Sequence, residues 1–180
     1  MRTLLLAVLL AAATPLAAAQ TCPPLLTQTF PKLQDDSPQD LCQYAGRVLL
    51  VVNTASYCGF TPQYAGLEKL YAQYAARGFT ILGFPSGDFG NQEKATSKEI
   101  ADFCYDTYGV KFPMFAKSAV KGDAANPLFA ALAKATGQAP RWNFHKYLIG
   151  RDGRVVATFP SKVEPLDAQL TRRIDEALAK

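Results

Sequence analysis

The sequence has few of the residues that bind metals and no concentrated block of positive charge. Its 180 residues include one histidine, His145, and four cysteines, whose spacing matches none of the common Cys/His zinc motifs. The net charge is only +4, and the lysines and arginines are scattered without interleaved aromatic residues. We therefore expect no metal, no other cofactor and no nucleic-acid partner.

The first residues have the pattern of a targeting segment. Arg2 precedes the uncharged apolar run "TLLLAVLLAAATPLAAA", which ends in small residues. This pattern predicts a secretory signal peptide, residues 1–19, cleaved after Ala19. An uncleaved membrane anchor is the alternative, because the run is nearly long enough to span a bilayer, but Pro15 and the alanines favour cleavage. We expect an exported protein, periplasmic in a Gram-negative bacterium and secreted otherwise, without stable membrane association.

Export changes the interpretation of the cysteines, because disulfides persist in oxidising compartments. Cys22 and Cys42 flank a proline-containing segment with few helix signals. A disulfide between them would close a loop of about twenty residues and contribute about 3 kcal/mol in the chain-entropy model. In the alternative, Cys42 is buried beside Leu41 and Cys22 is free. We predict the disulfide.

The rest of the chain, residues 20–180, shows no repeat and no linker, which predicts one domain. Its patterns predict strands and helices in an α/β order with a parallel crossover between the first two strands. The predicted elements are a strand "RVLLVVN", a helix starting at Thr61–Pro62 and ending at Gly78, a strand "FTILGF", a helix with a Thr96/Glu99 capping box, a helix from Asn126–Pro127 to Thr136, a hairpin "YLIGRDGRVVATF", and a helix opened by Pro165 with Leu166, Leu170, Ile174 and Leu178 on one face.

Cys58 follows the first buried strand, in the polar loop before a helix. Free backbone N–H groups and the helix dipole favour negative charge at such a place, which suits a reactive thiolate. Gly59 is expected to let the backbone approach the sulfur closely. Where a thioredoxin-like fold carries Cys-x-x-Cys, this chain has Cys58 and Thr61, which indicates a lone nucleophile and not a disulfide-shuttling dithiol.

Four ordered blocks resemble the glutathione peroxidase family. They are "NTASYCGFTPQYAGLEKLYAQY", "LGFPSGDFGNQE", "YGVKFPMFAK" and "WNFHKYLI", and the resemblance runs from about Phe30 onward. It implies a thioredoxin-like fold with a central mixed sheet flanked by helices. It also implies reduction of hydrogen peroxide or organic hydroperoxides by a peroxidatic cysteine, which would be Cys58.

The same resemblance implies partners for Cys58. Trp142 and Asn143 would supply N–H donors without adding negative charge. The family's third block usually places a glutamine where this chain has Asp88, and a carboxylate offers only acceptors and would repel a thiolate. Asn91 or Gln92 could supply the missing donor, or Asp88 could simply face solvent. His145 is expected to pack or hydrogen-bond locally.

Recycling of the oxidised Cys58 requires a second thiol or an external reductant. Cys104 lies near the position of the resolving cysteine in relatives that use thioredoxin, although on spacing alone it could be a core cysteine. The expected reductant is a thioredoxin-like protein or glutathione. The chain lacks the insertion that builds tetramers in some relatives, so a monomer is expected.

Two other classes remain open from the sequence. One is a periplasmic thiol-disulfide oxidoreductase, which the missing Cys-x-x-Cys disfavours. The other is a catalytically impaired redox-sensing module of the same fold, which only the Asp88 departure supports.

Overall fold

A computed structural model describes residues 21–180, so the predicted signal peptide lies outside the described residues. The described chain forms a four-stranded sheet flanked by helices and a separate two-stranded sheet. No helix in this part of the chain is long and apolar enough to cross a membrane. The elements are β1 (Thr29–Pro31), β2 (Pro38–Asp40), β3 (Val48–Thr54), α1 (Gln63–Tyr74), β4 (Phe79–Pro85), α2 (Ser97–Asp102), α3 (Pro127–Thr136), β5 (Lys146–Ile149), β6 (Val155–Phe159) and α4 (Ala168–Leu178).

The four-stranded sheet has the order β4-β3-β5-β6, with β3 parallel to β4 and the other two pairs antiparallel. Side chains of β3 alternate between two apolar clusters, one containing Leu50 and Val52 and the other Leu49 and Val51. A strand covered on both faces reads as a continuous apolar run, which is why "RVLLVV" lacks alternation. The predicted α/β class, mixed sheet and hairpin are confirmed.

The start of α1 differs from the prediction. The helix begins at Gln63, two residues after Thr61, and Thr61 does not cap it. Instead, the Thr61 hydroxyl accepts a hydrogen bond from Cys58 N at 3.0 Å and donates one to Ala55 O at 2.9 Å. Its side chain is therefore used to close the loop that carries Cys58.

The start of α4 was also predicted wrongly. The helix begins at Ala168, and Asp167 caps it by accepting a hydrogen bond from Gln169 N at 2.7 Å. A carboxylate at this position satisfies a free helical N–H, which Pro165 cannot do. Leu166 therefore precedes the helix and is 42% exposed, whereas Leu170 is buried as expected.

Two other predicted helix starts agree with the structure. Thr96 and Glu99 form the capping box of α2, and Asn126 caps α3 by accepting from Phe129 N. After α2 the chain continues as a π-helical turn, Phe103–Thr107. Such turns are short and often occur at functional sites.

The predicted disulfide between Cys22 and Cys42 is present, with the two Cα atoms 5.4 Å apart. β1 and β2 pair antiparallel, with Thr29 opposite Asp40. The chain therefore reverses its direction between the two cysteines. The disulfide therefore closes the small N-terminal sheet into a loop.

Candidate active site

The carboxyl ends of β3 and β4 bring three loops together at one edge of the sheet. The first carries Cys58 after β3, the second is residues 86–93 after β4, and the third is residues 141–145 before β5. Because β5 runs antiparallel to β3, its beginning lies at the edge where β3 ends. In open α/β sheets this edge is the usual place for a functional site.

Cys58 lies almost buried in its loop, with 7% of its surface exposed. Phe60 N points at the sulfur, 3.4 Å from Sγ, so a backbone donor faces the atom on which negative charge would develop. A side chain at Gly59 would meet no atom within 4 Å other than those of its two chain neighbours, so space alone does not require a glycine at this position.

Gln92 and Asn143 form an amide pair beside this loop. Asn143 is fully buried and donates from Nδ2 to Gln92 Oε1 at 3.1 Å, while its Oδ1 has no partner. The Gln92 carbonyl accepts a hydrogen bond from Tyr57 N at 2.9 Å. Gln92 is thus held to Asn143 by its side chain and to the residue before Cys58 by its backbone.

The end of β3 positions Trp142 and Asn143. The Asn53 side chain donates to Trp142 O at 3.1 Å and accepts from His145 N at 3.1 Å. Phe144, between Asn143 and His145, has a φ of 63°, a conformation that non-glycine residues seldom adopt. The Trp142 ring is 40% exposed and lies 5.8 Å from the Phe89 ring, so the indole stands at the surface of this edge.

Asp88 neither replaces the family's glutamine as a donor nor simply faces solvent. Its carboxylate accepts hydrogen bonds from Val120 N at 2.6 Å and from Lys121 N at 3.2 Å. Those donors belong to the loop before α3, so the charge of Asp88 is used to hold that loop. Of the two residues considered as a replacement, Gln92 is the one that contacts Asn143.

Cys104 lies on the π-helical turn and is fully buried as a free thiol. Burial raises its pKa to about 12, and the nearby Glu93 charge acts in the same direction. Cys104 and Cys58 belong to the same apolar cluster. In this structure Cys104 is a buried free thiol, and no disulfide joins it to Cys58.

His145 and Lys146 follow the Trp142 segment and are both buried. The His145 ring packs 4.7 Å from the Tyr147 ring, and burial with the neighbouring positive charges lowers its pKa to about 4. It is therefore a neutral packing residue near neutral pH, as expected from the sequence.

Lys146 was missed by the sequence reasoning. Its Nζ donates to Gln63 Oε1 at 2.7 Å, Phe144 O at 2.9 Å and Val163 O at 2.7 Å. Burial lowers its pKa to about 7. The only sequence signal was a lysine at the start of an otherwise apolar strand.

The chemistry available at this edge is that of a thiol with neutral hydrogen-bond donors. Within residues 21–180 no group of three or more His, Cys, Asp or Glu side chains is arranged to hold a metal ion. A thiol without the second cysteine of a Cys-x-x-Cys motif suits attack on a substrate followed by separate regeneration. Fold and site together define a thiol-dependent oxidoreductase.

Comparisons with known proteins identify the family. Residues 26–133 match the family model described as glutathione peroxidase. The glutathione peroxidase-like peroxiredoxin gpx1 of Schizosaccharomyces pombe is 48% identical over 139 residues, which cover 75% of this chain and 88% of that protein. The hydroperoxy fatty acid reductase gpx1 of Synechocystis is 48% identical over 141 residues, covering 73% and 83%. The chain belongs to the glutathione peroxidase family.

Solved structures agree with this assignment. The apo form of Trgpx superposes with a TM-score of 0.69 at 36% identity and covers 87% of this chain and 96% of that one. A thiol:disulfide interchange protein from Chlorobium tepidum, at 16% identity, superposes with a TM-score of 0.66 over 89% and 99% of the two chains. The second likeness shows the thioredoxin-like fold alone. With its family, this chain is a peroxidase that reduces peroxides with a thiol.

Proposed function

We propose that Cys58 is the nucleophile of this peroxidase activity and reduces hydrogen peroxide and organic hydroperoxides. The Cys58 thiolate attacks the terminal peroxide oxygen, an S–O bond forms, and the O–O bond breaks. The sulfur is oxidised to a sulfenic acid, and the departing oxygen takes a proton from water to leave as an alcohol or as water. The peroxide is thereby reduced by two electrons.

The observation that carries this proposal is the Gln92–Asn143 pair next to the Cys58 loop. The pair is tied to Tyr57 N, one residue from the nucleophile, and it adds no negative charge to the site. Amide N–H groups and the Trp142 indole can donate to a thiolate and to a departing oxygen. We propose these three side chains as the polar partners of Cys58, with Gln92 in the role first considered for Asp88.

For recycling, we propose that Cys104 attacks the Cys58 sulfenic acid. An S–S bond forms and the sulfenic oxygen leaves as water. A thioredoxin-like dithiol then reduces the disulfide, and glutathione is the competing reductant. Because Cys104 is buried, its segment must open first, and the π-helical turn that carries it is an irregular part of the helix.

Organic hydroperoxides are included because aromatic side chains close to the nearly buried Cys58 are exposed. Tyr57 beside Cys58 is 63% exposed, and Trp142 is also exposed. A bulky apolar group on the peroxide therefore finds aromatic surface near the thiol. The name of the Synechocystis relative, a hydroperoxy fatty acid reductase, supports testing such substrates.

Peroxide consumption by the purified protein tests this function. With thioredoxin, thioredoxin reductase and NADPH, the wild type should consume both hydrogen peroxide and an alkyl hydroperoxide, and Cys58→Ser should consume neither. Parallel assays with glutathione and glutathione reductase identify the reductant. Peroxide turnover by Cys58→Ser at more than a few per cent of the wild-type rate would refute the assignment, and insulin reduction without peroxide turnover would favour a thiol-disulfide oxidoreductase.

We also propose that the single domain, residues 20–180, acts as an exported monomer. The disulfide between Cys22 and Cys42 supports an oxidising compartment, because such bonds are rare in the cytosol. Mass spectrometry of the N-terminus in a periplasmic extract should find cleavage after Ala19. Recovery of the uncleaved chain in the membrane fraction would instead indicate an anchor.

A further inference from the structure

Glu93 is a buried carboxylate that the peroxidase chemistry does not use. It directly follows Gln92 and is only 4% exposed. Burial raises its pKa, and no salt bridge involving it is found in the described part of the chain. A buried carboxylate without a cation is costly, so the contacts that it makes deserve a physical explanation.

Those contacts join two of the loops that form the site. Glu93 Oε1 accepts hydrogen bonds from the Ser56 backbone N at 3.2 Å and from the Ser56 hydroxyl. It also accepts from Lys94 N at 2.8 Å, which fixes the orientation of the carboxylate relative to its own backbone. All of these bonds go to Oε1, whereas the buried Oε2 has no partner in the described chain, and Ser56 lies two residues before Cys58.

A backbone hydrogen bond joins the same two loops beside the Glu93–Ser56 contacts. Tyr57 N donates to the Gln92 carbonyl at 2.9 Å, so consecutive residues of the Cys58 loop bind consecutive residues of the loop after β4. A single neutral backbone hydrogen bond contributes about 0.5–1.5 kcal/mol, whereas bonds to an ionised group are roughly twice as strong. The Glu93 contacts therefore add a side-chain attachment between the two loops to the backbone one.

Resting on the proposed role of Cys58, we propose that Glu93 is a positioning residue that holds the Cys58 loop against the Gln92–Asn143 amide pair. The Glu93 carboxylate binds Ser56. Gln92, the residue before Glu93, carries the side-chain amide that binds Asn143. Displacing Ser56 by even a fraction of an ångström would therefore change where the sulfur stands relative to its donors. Reaction rates are sensitive to such displacements.

Glu68 provides a matched control for a purely structural effect. Its Oε1 also accepts hydrogen bonds from two backbone N–H groups, those of Lys111 at 2.6 Å and Phe112 at 3.2 Å. It too joins remote segments, but neither of them carries a residue proposed to contact the substrate. Loss of either carboxylate should lower the melting temperature, and only the loss of Glu93 should change the chemistry.

The decisive measurement is the second-order rate constant for a single oxidation of Cys58 by hydrogen peroxide. We expect Glu93→Ala to lower it about tenfold, equivalent to about 1.4 kcal/mol in the barrier. Glu93→Gln keeps an Oε1 acceptor for Ser56 and should recover most of the rate, while Glu68→Ala should react like the wild type. Equal rate constants in Glu93→Ala and Glu68→Ala would overturn the proposal.

Two further measurements keep the test decisive if Glu93→Ala does not fold or if the wild type reduces no peroxide. Ser56→Ala removes only the hydroxyl donor and should also slow Cys58 oxidation, so an unchanged rate constant in this variant counts against positioning. Hydrogen exchange followed by mass spectrometry reports loop attachment without any activity. Hydrogen exchange at residues 55–60 should be faster than in the wild type in Ser56→Ala and, to a smaller extent, in Glu93→Gln. It should be unchanged in Glu68→Ala. Unchanged exchange in Ser56→Ala would contradict the Glu93 contact.

Discussion

Gln92 Oε1 accepts a hydrogen bond from Asn143 Nδ2 at 3.1 Å, across 51 positions of sequence. This contact joins the loop after β4 to the segment before β5 at the edge where β3 ends. It identifies the amide that stands beside the Cys58 loop and that we propose as a partner of the thiol.

The first prediction compares Gln92 with Asp88. Gln92→Ala should slow single-turnover oxidation of Cys58 about tenfold or more, because it removes an amide from the site and leaves Asn143 without its partner. Asp88→Ala should leave that rate constant nearly unchanged and lower the free energy of unfolding by about 1–3 kcal/mol, since Val120 N and Lys121 N lose their acceptor. Stopped-flow kinetics and urea unfolding measure the two effects. The reverse pattern would restore Asp88 to the site.

The second prediction concerns the indole of Trp142. Trp142→Phe retains an aromatic ring against Phe89 but removes the N–H donor, so oxidation of Cys58 should slow about threefold to tenfold. Competition kinetics against a second peroxidase measures this rate without relying on tryptophan fluorescence. Phe89→Leu serves as the control for lost ring packing alone. If both variants react at the wild-type rate, Trp142 has a packing role only.

The third prediction tests recycling through Cys104. One equivalent of hydrogen peroxide should produce a Cys58–Cys104 disulfide in the wild type, detectable by peptide mapping alongside the existing Cys22–Cys42 bridge. Cys104→Ser should react once with peroxide at a normal rate and then fail to turn over with thioredoxin. A Cys104→Ser variant that cycles normally would show that Cys104 is a core residue and that the reductant attacks Cys58 directly.

The fourth prediction follows from the buried Lys146. Its pKa is about 7 in the folded chain and near 10.5 when unfolded, so between these values the unfolded chain binds more protons. The free energy of unfolding should therefore rise with pH above about 7, by at most about 1.4 kcal/mol per pH unit. The useful window ends near pH 9, because burial raises the pKa of Cys104 from 9.0 to about 12, and titration of this thiol opposes the Lys146 slope above that pH.

Urea unfolding at pH 7, 8 and 9 measures this slope. Lys146→Met should abolish it, whereas Lys134→Met, at an exposed position of α3, should keep it. Persistence of the slope in Lys146→Met would assign the pH dependence to another group.

Local patterns in the sequence determined most of the secondary structure. The apolar run of β3, the Thr96/Glu99 capping box and the Asn126 cap depend on residues a few positions apart, and each was predicted correctly. The ends of α1 and α4 were not, because Thr61 and Pro165 make contacts elsewhere. Thr61 binds within the Cys58 loop, and Pro165 packs against Gly66. Other contacts, local for Thr61 and tertiary for Pro165, override a capping preference at these positions.

The position of Cys58 after a buried strand was also evident from the sequence alone, whereas the polar groups around it were decided by the tertiary structure. Gly90 and Asn91 both have positive φ, 66° and 52°, and this turn leaves Asp88 at the loop before α3 while directing Gln92 to Asn143. Asp88 and Gln92 are only four residues apart, and the sequence does not show that the chain turns between them. Lys146 and Glu93 were missed for the same reason, since their acceptors and donors come from segments far away in sequence and meet only when the sheet and its loops have assembled.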